Sequence, residues 1–233
     1  MIRCKNLTKQ YGGQVVLSDF SYDFSDTGFY LLYGESGSGK TTLINVLSGM
    51  LPFEGGTVEI NGRTFSGISD PEAAGLDFDY ITQDTFFADF LTVSDNLMLI
   101  CRDAGKIPAV LEKFGLSGKE DQYPQTLSGG EKQRIAIARA IIHNPKILIL
   151  DDSTSAVDTA TDAKIRAALK DALPGATKLI IAQRVTSVMD ADMILVLDDG
   201  RIVGQGTHAQ LMESCDIYRE VYESQQEGVS IDG

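Results

Sequence analysis

Hydrophobic and polar positions alternate along the first part of the chain, then recur at helical spacing, then crowd into unbroken apolar runs. IRCKNLTKQ (2–10) alternates and predicts a strand. VVLSDFSYDF (15–24) alternates more strictly and predicts a second strand, with Val16, Phe20, Tyr22 and Phe24 on one face. GFYLLYGESGSGKTTLINVLSGM (28–50) predicts a strand, a glycine loop and a helix whose Leu43, Val46 and Leu47 form the buried stripe. TVEINGRTF (57–65) predicts a hairpin turned at Asn61–Gly62.

From Leu91 to Pro145 the spacing becomes helical. Thr92 with Asp95 predicts one helix start, while Pro108 suits the first turn of a helix that Gly115 would end. Ser128 and Glu131 have capping-box spacing ahead of KQRIAIARAII, whose Ile135, Ala138, Arg139 and Ile142 share a face before Asn144–Pro145 stops the helix. The strand ILIL (147–150), a helix near 159–171, and the strands TKLIIA (177–182) and MILVLD (193–198) follow. Helices alternating with continuous apolar strands imply an α/β fold with a parallel sheet covered on both faces. Asp199–Gly200 turns the last of these strands into RIVGQG, and two terminal helices are expected.

The 233 residues, 43% of them hydrophobic, suffice for one large domain with its own core. A formal net charge of −13 opposes nonspecific attraction to nucleic acid or to an anionic membrane, so no nucleic-acid partner is expected. Cys4, Cys101 and Cys215 are odd in number, far apart and without a nearby His, which suits small hydrophobes in a reducing compartment. MIRCKNLTKQ lacks the apolar centre of a signal peptide, and no apolar run approaches the roughly 18–20 residues that cross a bilayer. The expected location is cytoplasmic, or on the cytoplasmic face of a membrane through a partner that does the crossing.

Gly34-Glu35-Ser36-Gly37-Ser38-Gly39-Lys40-Thr41 fits G-x-x-x-x-G-K-[ST] between a strand and a helix. Glycines there let successive N–H groups face a phosphate chain, and the helix starting at Lys40 adds the positive end of its dipole. Lys40 would reach the β and γ phosphates of ATP, Thr41 would ligate Mg²⁺, and Thr42 follows in the same turn. ILILDD (147–152) then reads as the matching strand with its acids. Asp151 would hold Mg²⁺ through water and Asp152 would sit where a base orients the attacking water.

Leu127-Ser128-Gly129-Gly130-Glu131-Lys132-Gln133-Arg134 resembles the signature motif of ABC-type ATPases, and with the P-loop, Gln83, the Ser155-Ala156-Val157-Asp158 D-loop and the H-loop position it extends the resemblance over nearly the whole chain. The resemblance implies a P-loop cassette with a mixed, largely parallel core sheet, an antiparallel β subdomain and an α-helical subdomain. Its RecA-like core and β subdomain would occupy about 1–90 and 136–233, and its helical subdomain about 91–135. It also implies that two cassettes pack head to tail, so that Leu127, Ser128, Gly129, Gly130 and Gln133 face ATP on the partner's P-loop, and that a transmembrane domain or permease subunit is the other partner. Tyr11 matches the aromatic that stacks on adenine, with Val16 beside the ribose, although either could instead be core packing. Gln83 would ligate Mg²⁺ and sense the transport domain. Phe86, Phe87 and Phe90 lie where family members receive a coupling helix, unless they face inward.

Two positions depart from efficient hydrolases of the family, which carry Glu after the strand-end Asp and His in the H-loop. This chain has Asp152 and Gln183. Asp is shorter than Glu by about 1.5 Å, and misplacement on the order of 1 Å can cost roughly 100-fold in rate. Gln183 can hydrogen-bond a phosphate but cannot carry a proton as imidazole does. Slow hydrolysis at this chain's own P-loop is therefore expected. The intact signature matches the chain that, in heterodimeric exporters, completes its partner's competent site. An ATP-gated clamp with essentially no turnover is the alternative. A soluble ATPase of translation or DNA repair is the third reading, weakened by the lack of a tandem cassette or coiled-coil insertion.

The two halves resemble different subfamilies. IAQRVTSVMDADMILVLDDGRIVGQGTH (181–208) and YREVYESQQ (218–226) resemble exporters that fuse this cassette to membrane helices. YITQDTFFADFLTVSDNL (80–97) resembles the separate ATPases of lipoprotein-release and macrolide-efflux systems, and YPQTLSGG lacks the exporter TxVGExG segment. A junction between two subfamilies near residues 115–130 is the corresponding expectation.

Overall fold

A computed structural model describes residues 1–67, 78–81, 87–101, 103–151, 159–181 and 189–229. Two sheets organise it. β1 (Ile2–Tyr11), β2 (Gln14–Phe24), β4 (Gly55–Ile60) and β5 (Arg63–Phe65) form an antiparallel sheet in the order β2-β1-β4-β5. β3 (Gly28–Tyr33), β6 (Phe78–Ile81), β7 (Ile147–Asp151), β8 (Thr177–Ile181), β9 (Met193–Asp198) and β10 (Arg201–Gly206) form a second sheet in the order β10-β9-β3-β8-β7-β6. Its strands run parallel except for β10, which returns antiparallel to β9. The fold is α/β with a mixed core sheet, as the alternation of elements implied.

The core sheet is apolar on both faces because it separates two cores. Phe29, Leu31 and Tyr33 of β3 enter one, and Tyr30 and Leu32 enter the other, the period of two that a pleated strand imposes. One core is closed by the antiparallel sheet and by α1 (Lys40–Leu47). The other is closed by α2 (Val93–Met98), α3 (Ile107–Lys113), α4 (Gly129–His143), α5 (Thr159–Ala172), α6 (His208–Ser214) and α7 (Asp216–Val229).

Local chemistry explains the boundaries. Thr92 and Asp95 form a reciprocal capping box on α2, Pro108 sits in the first turn of α3, and Asn144 ends α4 in the left-handed region with φ 55°. The hairpin between β4 and β5 turns at Asn61 (φ 51°) and Gly62 (φ 82°), as the primed turns require.

The structure corrects two patterns. On β2, Leu17 rather than Val16 joins Phe20 and Phe24 in the core, and Val16 is half-buried. Asp19 adopts φ 52° and the pairing slips between Lys9↔Leu17 and Leu7↔Phe20, so a bulge shifts the alternation by one residue. Helix α4 is buried more widely than a single stripe: Ala136, Ile137, Ala140 and Ile141 are buried besides Ile135 and Ala138, while Arg139 and Ile142 are half-buried.

Candidate functional site

At the end of β3 the chain enters a glycine loop that leads into α1. Gly34 has φ 152°, and a Cβ there would stand 2.2 Å from the Leu197 carbonyl oxygen. Gly39, the residue before α1, has φ 98°, and its Cβ would stand 2.8 Å from the Val16 carbonyl oxygen. Side chains at either position would push the loop off the strands that support it. Because Gly39 supplies no side-chain cap and the first turn of α1 carries no acid, the helix presents its leading N–H groups and the positive end of its dipole unopposed.

Lys40 folds back over this loop. Its ammonium donates to the carbonyl oxygens of Gly34 at 2.8 Å and Glu35 at 2.7 Å, and to Ser38 Oγ at 3.2 Å. Ser38 is itself buried, with its backbone N–H bonded to the Glu35 carbonyl and its own carbonyl accepting from Gly200 N. The charge is thus fixed at the loop by the backbone before any anion arrives. On a chain carrying −13 overall, such local positive potential has to supply the attraction.

A cavity of about 1220 Å³ opens above the loop, lined by Gly34, Ser36, Gly37, Gly39, Lys40, Thr41 and Thr42 together with Asp151, Tyr11 and Val16. The fold therefore brings most of the sequence-predicted nucleotide residues to one place. Asp151 reaches it because β7 lies one strand from β3 across β8, so the strand end points at the same rim as the glycine loop. Tyr11 ends β1 and is 48% exposed, with the Lys9 ammonium 5.1 Å from its ring centre. It is not a core residue, and its open face is available for stacking.

The residues fit a nucleotide with its magnesium. The open space beside Gly37 and a helix start without a side-chain cap or first-turn acid suit a phosphate chain, while Thr41 and Asp151 offer the hard oxygen donors Mg²⁺ prefers. Among the described residues no group of three or more His, Cys, Asp or Glu could hold a metal alone, and phosphate oxygens are donors that could add to Thr41 and Asp151.

The signature segment lies elsewhere. Leu127 is buried and anchors it, Ser128 and Gly129 are exposed, and Gly130 is half-buried. Ser128 caps α4: its Oγ accepts from Glu131 N at 3.3 Å, while Glu131 Oε2 accepts from both Ser128 N and Ser128 Oγ at 2.8 Å. The Lys119 ammonium pairs with Glu131 Oε1 at 3.0 Å. The Ser128 backbone N–H first, then Lys119 and the Ser128 hydroxyl, hold the Glu131 carboxyl at about 2. None of Leu127, Ser128, Gly129, Gly130 or Gln133 lines the cavity of this chain. Gln133 is buried, with its Oε1 unpartnered among the described residues.

Gln83, Phe86, Asp152, Ser155, Ala156, Val157, Asp158 and Gln183 lie outside the described residues. Phe87 is half-buried with the Arg139 guanidinium 5.9 Å from its ring centre, whereas Phe90 is 82% exposed. Sequence reasoning missed Tyr33, Glu35, Ile181, Val221, Ser224 and Gln225, which complete the cavity wall. A signal for α7 was present: Tyr218, Val221, Tyr222 and Gln225 follow the i, i+3, i+4, i+7 spacing of a packed helix face.

Glycine loop, lysine and strand-end acid on a parallel sheet place the chain in the P-loop nucleotide-binding class. The sequence model of the family described as "ABC transporter" matches residues 17–155. The chain is 36% identical over 228 residues to the ABC-type oligopeptide transporter ABCB9 of Homo sapiens, covering 92% of this chain and 29% of that protein. It is 34% identical over 232 residues to the ATP-dependent lipid A-core flippase of Neisseria meningitidis, covering 93% and 37% respectively. Among solved structures, a bacterial Atm1-family ABC exporter with ATP bound superposes with a TM-score of 0.86 at 27% identity, covering 96% of this chain and 41% of that one. This chain belongs to the ABC transporter family. It spans well under half the length of these two curated relatives, 29% and 37% respectively.

Proposed function

We propose that this chain is the ATP-binding cassette of an exporter: it binds Mg-ATP, closes head to tail on a second cassette, moves a transmembrane partner and hydrolyses ATP slowly at its own site. The observation that carries the reading is the single cavity holding the glycine loop, Lys40, Thr41 and Asp151 beneath Tyr11 and Val16. Lys40 binds the β and γ phosphates, and Tyr11 stacks on adenine with Val16 beside the ribose. Thr41, Gln83 and Asp151 hold the metal. A bound Mg²⁺ would neutralise charge on the transferred phosphoryl group.

Ser128, Gly129 and Gly130 lie on an exposed helix start that does not reach their own chain's cavity, which supports completion of a partner's site in trans. Asp158 belongs to the D-loop that flanks that contact. Phe90, together with exposed Met98, Leu99 and Ile100, gives the helical subdomain an apolar surface suited to a membrane subunit, which would hold the cassette on the cytoplasmic face. Among the described residues no helix is long and apolar enough to cross a membrane.

Asp152 is too short to hold the attacking water at the distance a Glu would, and Gln183 cannot shuttle a proton; both act on the same step. Single-turnover measurements test this. Asp152→Glu with Gln183→His is expected to raise the rate by about 100-fold, and an unchanged rate would favour the clamp. The junction near residues 115–130 is tested by matching residues 1–115 and 130–233 separately, which should retrieve different parent groups.

A further inference from the structure

We propose that the Tyr80 hydroxyl is a positioning group for the Asp151 carboxylate, tying the strand-end acid to the P-loop helix through Asn45. The proposal rests on the nucleotide reading above and adds two residues to it, neither of which lines the cavity.

The register of the core sheet makes the contact. Tyr80 on β6 pairs with Ile149 on β7, and Asp151 lies two residues further along β7 on the same face as Ile149. A phenol is long enough to span this diagonal, and Tyr80 Oη lies 3.1 Å from Asp151 Oδ2. On its other side Oη lies 3.3 Å from Asn45 Oδ1. Asn45 follows Thr41 by four residues on α1, one helical turn along the same face. Tyr80 thus bridges the two elements that carry the metal-binding oxygens.

Proton counting sets the direction. The phenol has one hydrogen and faces two oxygens, and an ionised carboxylate is the stronger acceptor. The hydrogen goes to Asp151, and the Asn45 amide turned over would donate its NH₂ to the phenol oxygen. The resulting chain, Asn45 to Tyr80 to Asp151, uses one carboxylate oxygen and leaves Oδ1 for a metal-bound water. A tyrosine hydroxyl keeps its proton at physiological pH, so it has a hydrogen to donate.

Partners that orient a metal ligand are commonly worth about 10–100-fold in metal affinity. Because Asp151 would act through water, the lower end applies. Tyr80→Phe keeps the ring and removes only the hydroxyl. Mn²⁺ binding to the ATP-loaded chain, followed by electron paramagnetic resonance, should weaken about tenfold. ATP affinity in EDTA, measured by calorimetry, should stay within about twofold, because the glycine loop and Lys40 are untouched. Asn45→Ala should weaken Mn²⁺ binding in the same direction by about threefold, since the phenol is then oriented by one partner only.

Mn²⁺ affinity unchanged in Tyr80→Phe would overturn the proposal, as would equal losses with and without metal, which would mark a packing role. An unchanged Asn45→Ala would overturn the link to the P-loop helix. Wild-type protein without metal-dependent ATP affinity would sink the nucleotide reading itself, and this proposal with it.

Discussion

Two helices in this molecule begin with glycine-rich turns suited to phosphate, and they are built in opposite ways. α1 starts at Gly39 with no side-chain cap and no acid in its first turn, and it places the Lys40 ammonium over the loop. α4 starts at Ser128, whose hydroxyl and backbone N–H are both engaged by Glu131, so its first turn carries a negative charge before any ligand arrives. The first is a preorganised anion site. The second is satisfied on its own, and an incoming phosphate would compete with Glu131 for the Ser128 hydroxyl. In the head-to-tail pairing proposed above, a helix start built this way would gain little from free nucleotide and most from a phosphate already held by the second cassette.

The contrast breaks most visibly at Lys40. Lys40→Ala removes charge-assisted hydrogen bonds worth about 1.5–3 kcal/mol, so ATP affinity by calorimetry should fall by about 10–100-fold. If it does not, the loop is not the anion site. Ser128→Ala should leave the ATP affinity of the isolated chain unchanged while lowering unfolding free energy by about 1 kcal/mol through the lost cap. ATP-dependent association with a second cassette, followed by light scattering, should be lost in the same variant.

The smallest expected effect is in acid. Glu131 is held at about 2 in the folded chain against an ordinary 4.5. Its stabilising contribution is therefore complete above pH 4.5 and is lost as pH falls toward 2. Glu131→Gln should flatten the urea midpoint between those pH values and lower it modestly at pH 7, where the contribution of the carboxylate is complete, while leaving it unchanged near pH 2.

Most of the architecture was legible because its signals are local. Capping boxes at Thr92 and Ser128, the Asn61–Gly62 turn and the glycine loop each act within a few residues, and each formed as its spacing implied. The shifted face of β2 was not legible, because the bulge at Asp19 depends on pairing with β1, and alternation alone places Val16 where Leu17 sits. The same limit hid Val221, Ser224 and Gln225 in the cavity wall, whose helix lies at the opposite end of the sequence from the loop it approaches. Tyr80 and Asn45 were silent too, since a tyrosine on a short strand reads as core until the register shows which carboxylate it meets.

Strand β7 sends Ile147 and Ile149 into one core and Leu148 and Leu150 into the other, then ends at Asp151. The acid is thus the tip of a lever clamped from above and below. Trimming a methylene group in either layer would shift that tip, so evolution or an engineer could tune the metal grip proposed for Asp151 from positions that do not line the cavity.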